Sequence, residues 1–209
     1  MFLIEHASNI IASKITNSLN SDKETEEIIS YGAFVLFQII WSFLCVVILG
    51  EIFNVLIESI VIVVTIAIYR KYSGGLHAHS PNKCAIWGAI ICVGSGIVVK
   101  NININLNITF ICIFIFTFMY ARYCVYEFAP RDTKHKPINN IGERLRLKKY
   151  SFIVIDTLFV IGILLILLYL KYRYDILIYY NKCIIIAVLW QSFTLTPVAK
   201  KIFGKYAME

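Results

Sequence analysis

The stretch AFVLFQIIWSFLCVVIL at residues 33–49 contains no charged side chain. A helix over these residues would be about 26 Å long at ~1.5 Å per residue, which approaches the ~30 Å hydrocarbon core of a bilayer. Comparable apolar runs recur along the chain. They predict six membrane-spanning helices, at residues 33–49, 52–68, 81–99, 106–121, 152–170 and 183–198.

The composition also indicates a membrane protein. Of the 209 residues, 59% are hydrophobic and 16% are charged, whereas about a quarter of the residues in a soluble domain are charged. We therefore predict an all-α, polytopic membrane protein with about six transmembrane helices. We expect a single membrane-embedded domain over residues 1–209, in which 33–198 form the six-helix transmembrane region.

Residues 1–20 have the period of an amphipathic helix. Apolar side chains recur every fourth residue, at Leu3, Ala7, Ile11, Ile15 and Leu19. A helix with this period has one apolar stripe. It could lie in the membrane interface as an interfacial amphipathic helix, or it could pack against the rest of the protein, and the sequence leaves both arrangements open.

Basic residues are distributed unequally between the two sides of the predicted membrane region. Of the 20 Lys and Arg residues, 15 fall on one side, 4 fall on the other, and Arg122 lies at a helix end. Because cytoplasmic loops carry an excess of Lys and Arg, we expect both termini, residues 70–83 and the basic loop 130–150 in the cytoplasm. The basic residues flank the spans and do not line one continuous face, so no nucleic-acid partner is expected.

The polar segment RKYSGGLHAHSPNKC at residues 70–84 contains a candidate nucleophile. Ser80 is a favoured N-cap residue, and Pro81 suits the first position of a helix. Cys84 would then lie in the first helical turn. The positive end of the helix dipole favours a thiolate at that position, and the thiolate is the nucleophilic form of cysteine.

His77 is the candidate base for this thiol. It precedes the helix cap, so the chain can fold back and bring the imidazole within hydrogen-bonding reach of the Cys84 sulfur. Gly74 and Gly75 permit a tight turn. Their backbone N–H groups, or those of the first helical turn, could stabilise an oxyanion. The segment therefore predicts an acyl-transfer site.

Two other interpretations of this segment stay open on its chemistry alone. It could be a polar loop with an incidental His and Cys. His77, His79 and Cys84 could instead bind zinc, although this set lacks a clear fourth ligand, and we expect neither a metal nor another cofactor. The remaining cysteines lie in or near the ends of apolar runs and are expected to act as small hydrophobic residues: Cys45, Cys92, Cys112, Cys124 and Cys183.

Two motifs carry a resemblance to a known family. The first consists of Arg70, Gly74-Gly75, His77 and, seven residues later, Cys84. The second is APRDTKHKPI at residues 129–138, which is similar to an A-P-x-x-x-x-x-K-P-I element. These motifs, their order, the chain length and the number of spans resemble the accessory gene regulator protein B family of Gram-positive bacteria. Its members are membrane cysteine endopeptidases that mature quorum-sensing autoinducing peptides.

The resemblance implies a substrate and a role for the two central site residues. The family's substrate is a short propeptide with an amphipathic N-terminal part, a central signal peptide that contains a Cys or Ser, and an acidic C-terminal tail. Cleavage before the tail would leave a thioester on Cys84, with His77 as the base. The internal Cys or Ser would then close a thiolactone or lactone ring. The resemblance also implies a homodimer in the bacterial cell membrane.

Further polar residues have less defined roles. Lys134 and Lys136 lie in the basic loop and could bind the acidic tail, while Arg70 could orient a carboxylate or mark the membrane interface. A small peptide transporter or exporter, with residues 70–84 as a gate, is the alternative function. A third catalytic residue could come from three acidic positions: Glu58, Asp132 and Asp156. The first of these could instead pair with Arg122.

Overall fold

Every regular element of the protein is a helix in the residues that the structure, a computed structural model, describes: 2–19, 21–76, 80–102, 105–131, 138 and 140–203. These residues form α1 (Phe2–Leu19), α2 (Lys23–Ile52), α3 (Leu56–Ser73), α4 (Pro81–Asn101), α5 (Ile108–Phe128), α6 (Ile141–Tyr172), α7 (Asp175–Leu195) and α8 (Pro197–Phe203). The predicted all-α fold class is confirmed.

Five of these helices are long and apolar enough to cross a membrane, namely α2, α4, α5, α6 and α7. The remaining predicted span, 52–68, falls on α3. That helix has 18 residues but carries Glu58 in its first turn and Arg70 and Lys71 in its last turn. The structure therefore supports a polytopic membrane protein with five clearly apolar spans.

Two of the spanning helices begin in polar sequence because polar side chains cap them. Asp22 accepts a hydrogen bond from the Thr25 N–H at 3.0 Å, and α2 begins at Lys23, well before the predicted span. Two hydrogen bonds to the Asp22 carboxylate, the stronger from the Thr25 hydroxyl and the weaker from the Thr25 N–H, hold the pKa of this carboxyl below its usual value. Asn140 caps α6 by accepting from the Gly142 N–H at 2.8 Å. A capped helix thus extends past the apolar run that marks its span.

Helix α1 packs against α2 through small side chains. Ser8, Ala12 and Thr16 share one face of α1 and are buried, and the Ser30 hydroxyl of α2 hydrogen-bonds the Asn9 side chain. The neighbouring apolar stripe, which includes Ile11, Ile15 and Leu19, stays exposed. The helix therefore contacts the rest of the protein and still presents an apolar surface, so both arrangements predicted for residues 1–20 are compatible with it.

Helix α7 lies at the centre of the bundle. It contacts α3, α4, α5, α6 and α8. Half of the residues in its most apolar 18-residue stretch are buried, against 6% of the residues in the corresponding stretch of α2. The core beside it includes an aromatic group in which Phe114, Phe118 and Phe159 lie with ring centroids 5.0–5.3 Å apart. The exposed surface of the spanning helices is rich in Ile, Leu and Phe, as expected for helices in contact with lipid.

Helices α3 and α4 run antiparallel between the same two ends of the bundle. At one end the Lys100 ammonium donates to the Asn54 carbonyl at 2.6 Å. At the other end the Gln38 amide of α2 donates to the Pro81 carbonyl at 2.8 Å. The end of α3, the start of α4 and the end of α7 meet there. We call this end of the molecule the site end.

Candidate active site

Cys84 occupies the first turn of α4, as the sequence predicted. Ser80 is the N-cap residue, and its side chain accepts a hydrogen bond from the Lys83 N–H at 3.3 Å. Pro81 is the first helical residue, and the Cys84 N–H donates to the Ser80 carbonyl at 2.9 Å. The Cys84 thiol is free and partly buried. A thiol at this position experiences the positive end of the helix dipole.

The Gly74–Gly75 turn ends α3 in a conformation that favours glycine. Gly74 has φ 71° and Gly75 has φ 143°, and both angles lie in the region that L-residues rarely adopt. A Cβ at Gly74 would lie 2.1 Å from the Arg131 carbonyl oxygen. The Gly74 N–H donates to the Arg70 carbonyl at 2.9 Å. An oxyanion would have to displace that bond, and in the first α4 turn it would have to displace the bonds from the Lys83 and Cys84 N–H groups to Ser80.

Arg70 connects the turn to the candidate nucleophile. Its guanidinium donates to the carbonyl of Leu76, the residue that immediately precedes His77 in the chain. The same guanidinium lies within electrostatic range of the Cys84 thiol. A cation beside a cysteine favours the thiolate. The structure therefore brings together Arg70, the glycine turn and Cys84.

Gln191 of α7 is a site-end residue that the sequence interpretation missed. Its side chain is fully buried, and its amide nitrogen donates to the Gly74 carbonyl at 2.8 Å and to the Ser73 hydroxyl at 3.2 Å. A Cβ at Gly75 would lie 3.3 Å from that nitrogen. The available sequence signal was an amide inside the apolar run 183–198, where a polar group must find a partner.

Arg131 attaches the start of the second motif to the same turn. Its N–H donates to the Ser73 carbonyl at 2.9 Å. Its guanidinium donates to the last carbonyls of α7, those of Thr194, Leu195 and Thr196, at 3.2 Å each. A cation at a helix C-terminus also complements the negative end of the dipole. The two motifs, which are far apart in sequence, therefore meet at the site end.

Several predicted site residues lie outside the residues that the structure describes: His77, His79, Asp132, Lys134 and Lys136. Their roles stay predictions from sequence. Among the described residues, no three His, Cys, Asp or Glu side chains are grouped as a metal site would require.

Two of the three acidic candidates have other partners in the structure. Glu58 accepts a hydrogen bond from the Tyr179 hydroxyl and lies beside Gly96, twelve residues from Cys84 on α4 and therefore about 18 Å further along that helix. The pairing of Glu58 with Arg122, which the sequence left open as one alternative, is not formed, because Arg122 forms its ion pair with Asp156. Which polar side chains meet across a bundle depends on helix rotation, which the sequence alone does not give.

All six cysteines are free in the structure. Cys92, Cys124 and Cys183 are buried among the helices, and Cys112 is exposed on the outer surface of α5. This agrees with the prediction that cysteines in the apolar runs serve as small hydrophobic residues.

The fold and the site define a class of protein. It is a polytopic helical membrane protein in which a thiol, that of Cys84, lies in the capped first turn of a helix and within electrostatic range of a partly buried guanidinium, that of Arg70. A family model described as Accessory gene regulator B matches residues 8–195. The chain is 39% identical over 198 residues to an AgrB-like protein of Clostridium perfringens (strain SM101 / Type A), covering 94% of this chain and 92% of that protein. Identity and coverage are the same for AgrB-like protein 2 of Clostridium perfringens (strain 13 / Type A). No solved structure gives a significant match.

The chain therefore belongs to the accessory gene regulator B family. Membership implies the processing of an autoinducing peptide, and the resemblance drawn from the two sequence motifs is confirmed.

Proposed function

We propose that the protein is a membrane-embedded cysteine endopeptidase that cleaves a short quorum-sensing propeptide through an acyl-enzyme on Cys84 and cyclises the product. The observation that carries this proposal is the position of the Cys84 thiol, in the capped first turn of α4 and within electrostatic range of Arg70. A cysteine thiol in such a position is a candidate nucleophile for acyl transfer. Family membership supplies the class of substrate.

In the first half of the reaction, the Cys84 sulfur attacks the carbonyl carbon before the acidic tail of the propeptide. The carbon–sulfur bond forms, the peptide carbon–nitrogen bond breaks, and the tail leaves as an amine. His77 takes the thiol proton and delivers it to the leaving nitrogen, as a general base and then a general acid. Backbone N–H groups of the glycine turn or of the first turn of α4 support the transient oxyanion.

In the second half, the Cys or Ser inside the bound signal peptide attacks the thioester. A thiolactone or lactone ring forms, the bond to Cys84 breaks, and the thiol is regenerated. A membrane surface with little water gives the internal nucleophile time to react before hydrolysis. Because exchanging an amide for a thioester is uphill, removal of the products helps to drive the sequence.

The membrane arrangement belongs to the same proposal. Helix α3 runs between the same two ends as α4, so we count it as the sixth crossing despite its three charges. Six crossings put both termini on one side, and the excess of Lys and Arg assigns that side to the cytoplasm. The site end then faces the cytoplasmic leaflet, where a newly made propeptide arrives. Lys134 and Lys136 bind the acidic tail, and the active form is a homodimer.

The test is a bacterial strain that expresses the protein together with a tagged propeptide. Cys84→Ala should accumulate intact propeptide, and Cys112→Ala, which removes an exposed thiol in α5, should process it normally. Both proteins must reach the membrane in equal amounts. A Cys84→Ala strain that contains cleaved but unexported peptide would contradict the peptidase and support the peptide exporter.

A further inference from the structure

We infer that Gln191 is a positioning residue for the cleavage reaction, which holds the Gly74–Gly75 turn against α7 and thereby keeps Arg70 in register with Leu76 and Cys84. This inference rests on the proposed function. Gln191 lies in a different helix from both Arg70 and Cys84, and it is 117 residues from Gly74 in the sequence.

The hydrogen bonds of Gln191 fix the direction of its amide. The Gly74 carbonyl can only accept, so the nitrogen of the amide must face it, at 2.8 Å. The Ser73 hydroxyl lies 3.2 Å from the same nitrogen and is oriented towards the Tyr69 carbonyl, to which it donates at 3.0 Å. Both amide hydrogens therefore serve the end of α3. The opposite atom, Oε1, is buried and has no hydrogen-bond partner among the described residues.

An unpartnered buried oxygen costs stability. Leaving a buried polar atom without a partner destabilises the folded state, and a bundle that needed only packing could place an apolar side chain here. Gln191 is retained in the interior with only its nitrogen used by the described residues. The energetic gain comes from the contact with residues 73 and 74, at the start of the turn that leads to the candidate base.

The glycine turn links Gln191 to Arg70, the residue that lies within electrostatic range of Cys84. Gly74 is held by Gln191 from α7, and two residues later the Leu76 carbonyl is held by Arg70. Gly75 packs closely against α7, because an added Cβ would lie 3.1 Å from Thr194 Oγ1. If Gln191 is lost, the turn can move away from α7, and Arg70 loses its register with both Leu76 and Cys84.

Helix α7 also provides a matched control. Asn181 is a second fully buried amide on α7. Its nitrogen donates to the Gly162 carbonyl at 2.9 Å, and its oxygen also lacks a partner among the described residues. It differs from Gln191 mainly in location, because it lies ten residues earlier and therefore about 15 Å away along the helix. Gln191→Leu removes buried amide hydrogen bonds at the site end. Asn181→Leu removes a buried amide hydrogen bond far from the site end.

The experiment uses the full-length protein in lipid vesicles. The first readout is the rate at which N-ethylmaleimide modifies Cys84, measured by mass spectrometry and compared with the rate in the wild-type protein. The second is kcat and KM for cleavage of a synthetic acidic-tailed propeptide. Gln191→Leu should lower the Cys84 modification rate and kcat about tenfold or more with KM little changed, since misplacement by ~1 Å can cost ~100-fold. Asn181→Leu should stay within about twofold of wild type on both readouts.

A third variant protects the test against misfolding. Gln191→Glu keeps the shape of the side chain, and burial favours its neutral form. The protonated acid can donate one bond to the Gly74 carbonyl, whereas the ionised form repels it. The ratio of its kcat to that of wild type should therefore be higher than the ratio for Gln191→Leu at pH 5 and should fall at the pH where the acid ionises, and a ratio at pH 5 as low as that of Gln191→Leu would overturn the inference. Gln191→Leu acting like Asn181→Leu would overturn it too. Absence of any cleavage by the wild-type protein would instead reject the proposed function.

Discussion

Arg70 is the residue that couples the two parts of the candidate site. Its guanidinium donates to the Leu76 carbonyl and lies within electrostatic range of the Cys84 thiol. Its sequence position suggested either a carboxylate partner or a membrane-interface residue. The structure gives it the Leu76 carbonyl as a hydrogen-bond partner and the Cys84 thiol within electrostatic range, which fits a role in ordering the turn and a second role through its charge. A planar guanidinium can serve both neighbours at once, while a lysine provides only a point charge.

We therefore expect the two functions of Arg70 to separate on substitution. Arg70→Lys keeps the charge near Cys84 but loses the planar set of guanidinium donors, so cleavage should slow about tenfold. Arg70→Met loses both the charge and the donors, so cleavage should slow about a hundredfold. Arg173→Met is the control, because Arg173 is the C-cap residue of α6 and lies away from the site end. This substitution should change the cleavage rate little. Rates of propeptide cleavage by purified proteins in lipid give the comparison. Equal rates for the Lys and Met variants would show that the charge plays no part.

Among the elements, α4 was predictable and the packing around its first turn was not. Ser80, Pro81 and Cys84 are neighbours in sequence, and capping depends on local chemistry, so the start of the helix and the place of the thiol followed directly. Gln191 and Arg131 reach the glycine turn from 58 or more residues away. Such contacts depend on how the helices rotate and pair, and one sequence contains no local pattern that encodes them. The same reason explains why the sequence could not choose a partner for Glu58.

The capped start of α4 leads to a prediction about Cys84. Ser80→Ala removes the acceptor for the Lys83 N–H, a loss that typically costs about 1 kcal/mol. We expect the first turn to fray and the reaction of Cys84 with N-ethylmaleimide to slow several-fold at neutral pH. Asn107→Ala is the matched control, because Asn107 caps α5 through the same type of bond, 2.9 Å to the Phe110 N–H. Equal Cys84 reactivity in the two variants would contradict a role for the cap in the chemistry.

The basic loop gives a prediction that rests on sequence, because Lys134 and Lys136 lie outside the described residues. Reversing both charges, with Lys134→Glu and Lys136→Glu, should raise KM for an acidic-tailed propeptide and change kcat little. If the loop and the tail are partners, neutralising the tail in this variant should add little further loss. Lys171→Glu, at the far end of α6, serves as the charge-reversal control. Fully additive losses would mean that the loop binds something else.

On the scale of the whole molecule, the question is how often the chain crosses the membrane. The apolar runs located α2, α4, α5, α6 and α7, while α3 carries three charges. Those charges lie at its two ends, with Glu58 bonded to Tyr179 and Arg70 to Leu76. Partnered charges near helix ends are far less costly in a bilayer than isolated charges at its centre. A crossing by α3 is therefore physically reasonable.

Labelling with a membrane-impermeant maleimide tests this arrangement in intact cells. In a background without other cysteines, Asn54→Cys, at the turn between α2 and α3, should be modified from outside. Lys71→Cys, at the end of α3, should be modified only after permeabilisation. Both positions are exposed, so access to the thiol is not limiting. Modification of both residues from the same side would show that α3 does not cross, and modification of Lys71→Cys in intact cells would reverse the proposed orientation.

The central claim is that Cys84 forms the bond to the substrate, and mass spectrometry of the protein itself tests this most directly. Purified protein in lipid is mixed with a synthetic propeptide and quenched with acid within one turnover. We predict an adduct on the Cys84 peptide equal in mass to the propeptide without its tail, less one water, and sensitive to hydroxylamine as a thioester is. The adduct should be absent from Cys84→Ala and retained in Cys112→Ala. Cleavage by Cys84→Ala at the wild-type rate would contradict the account.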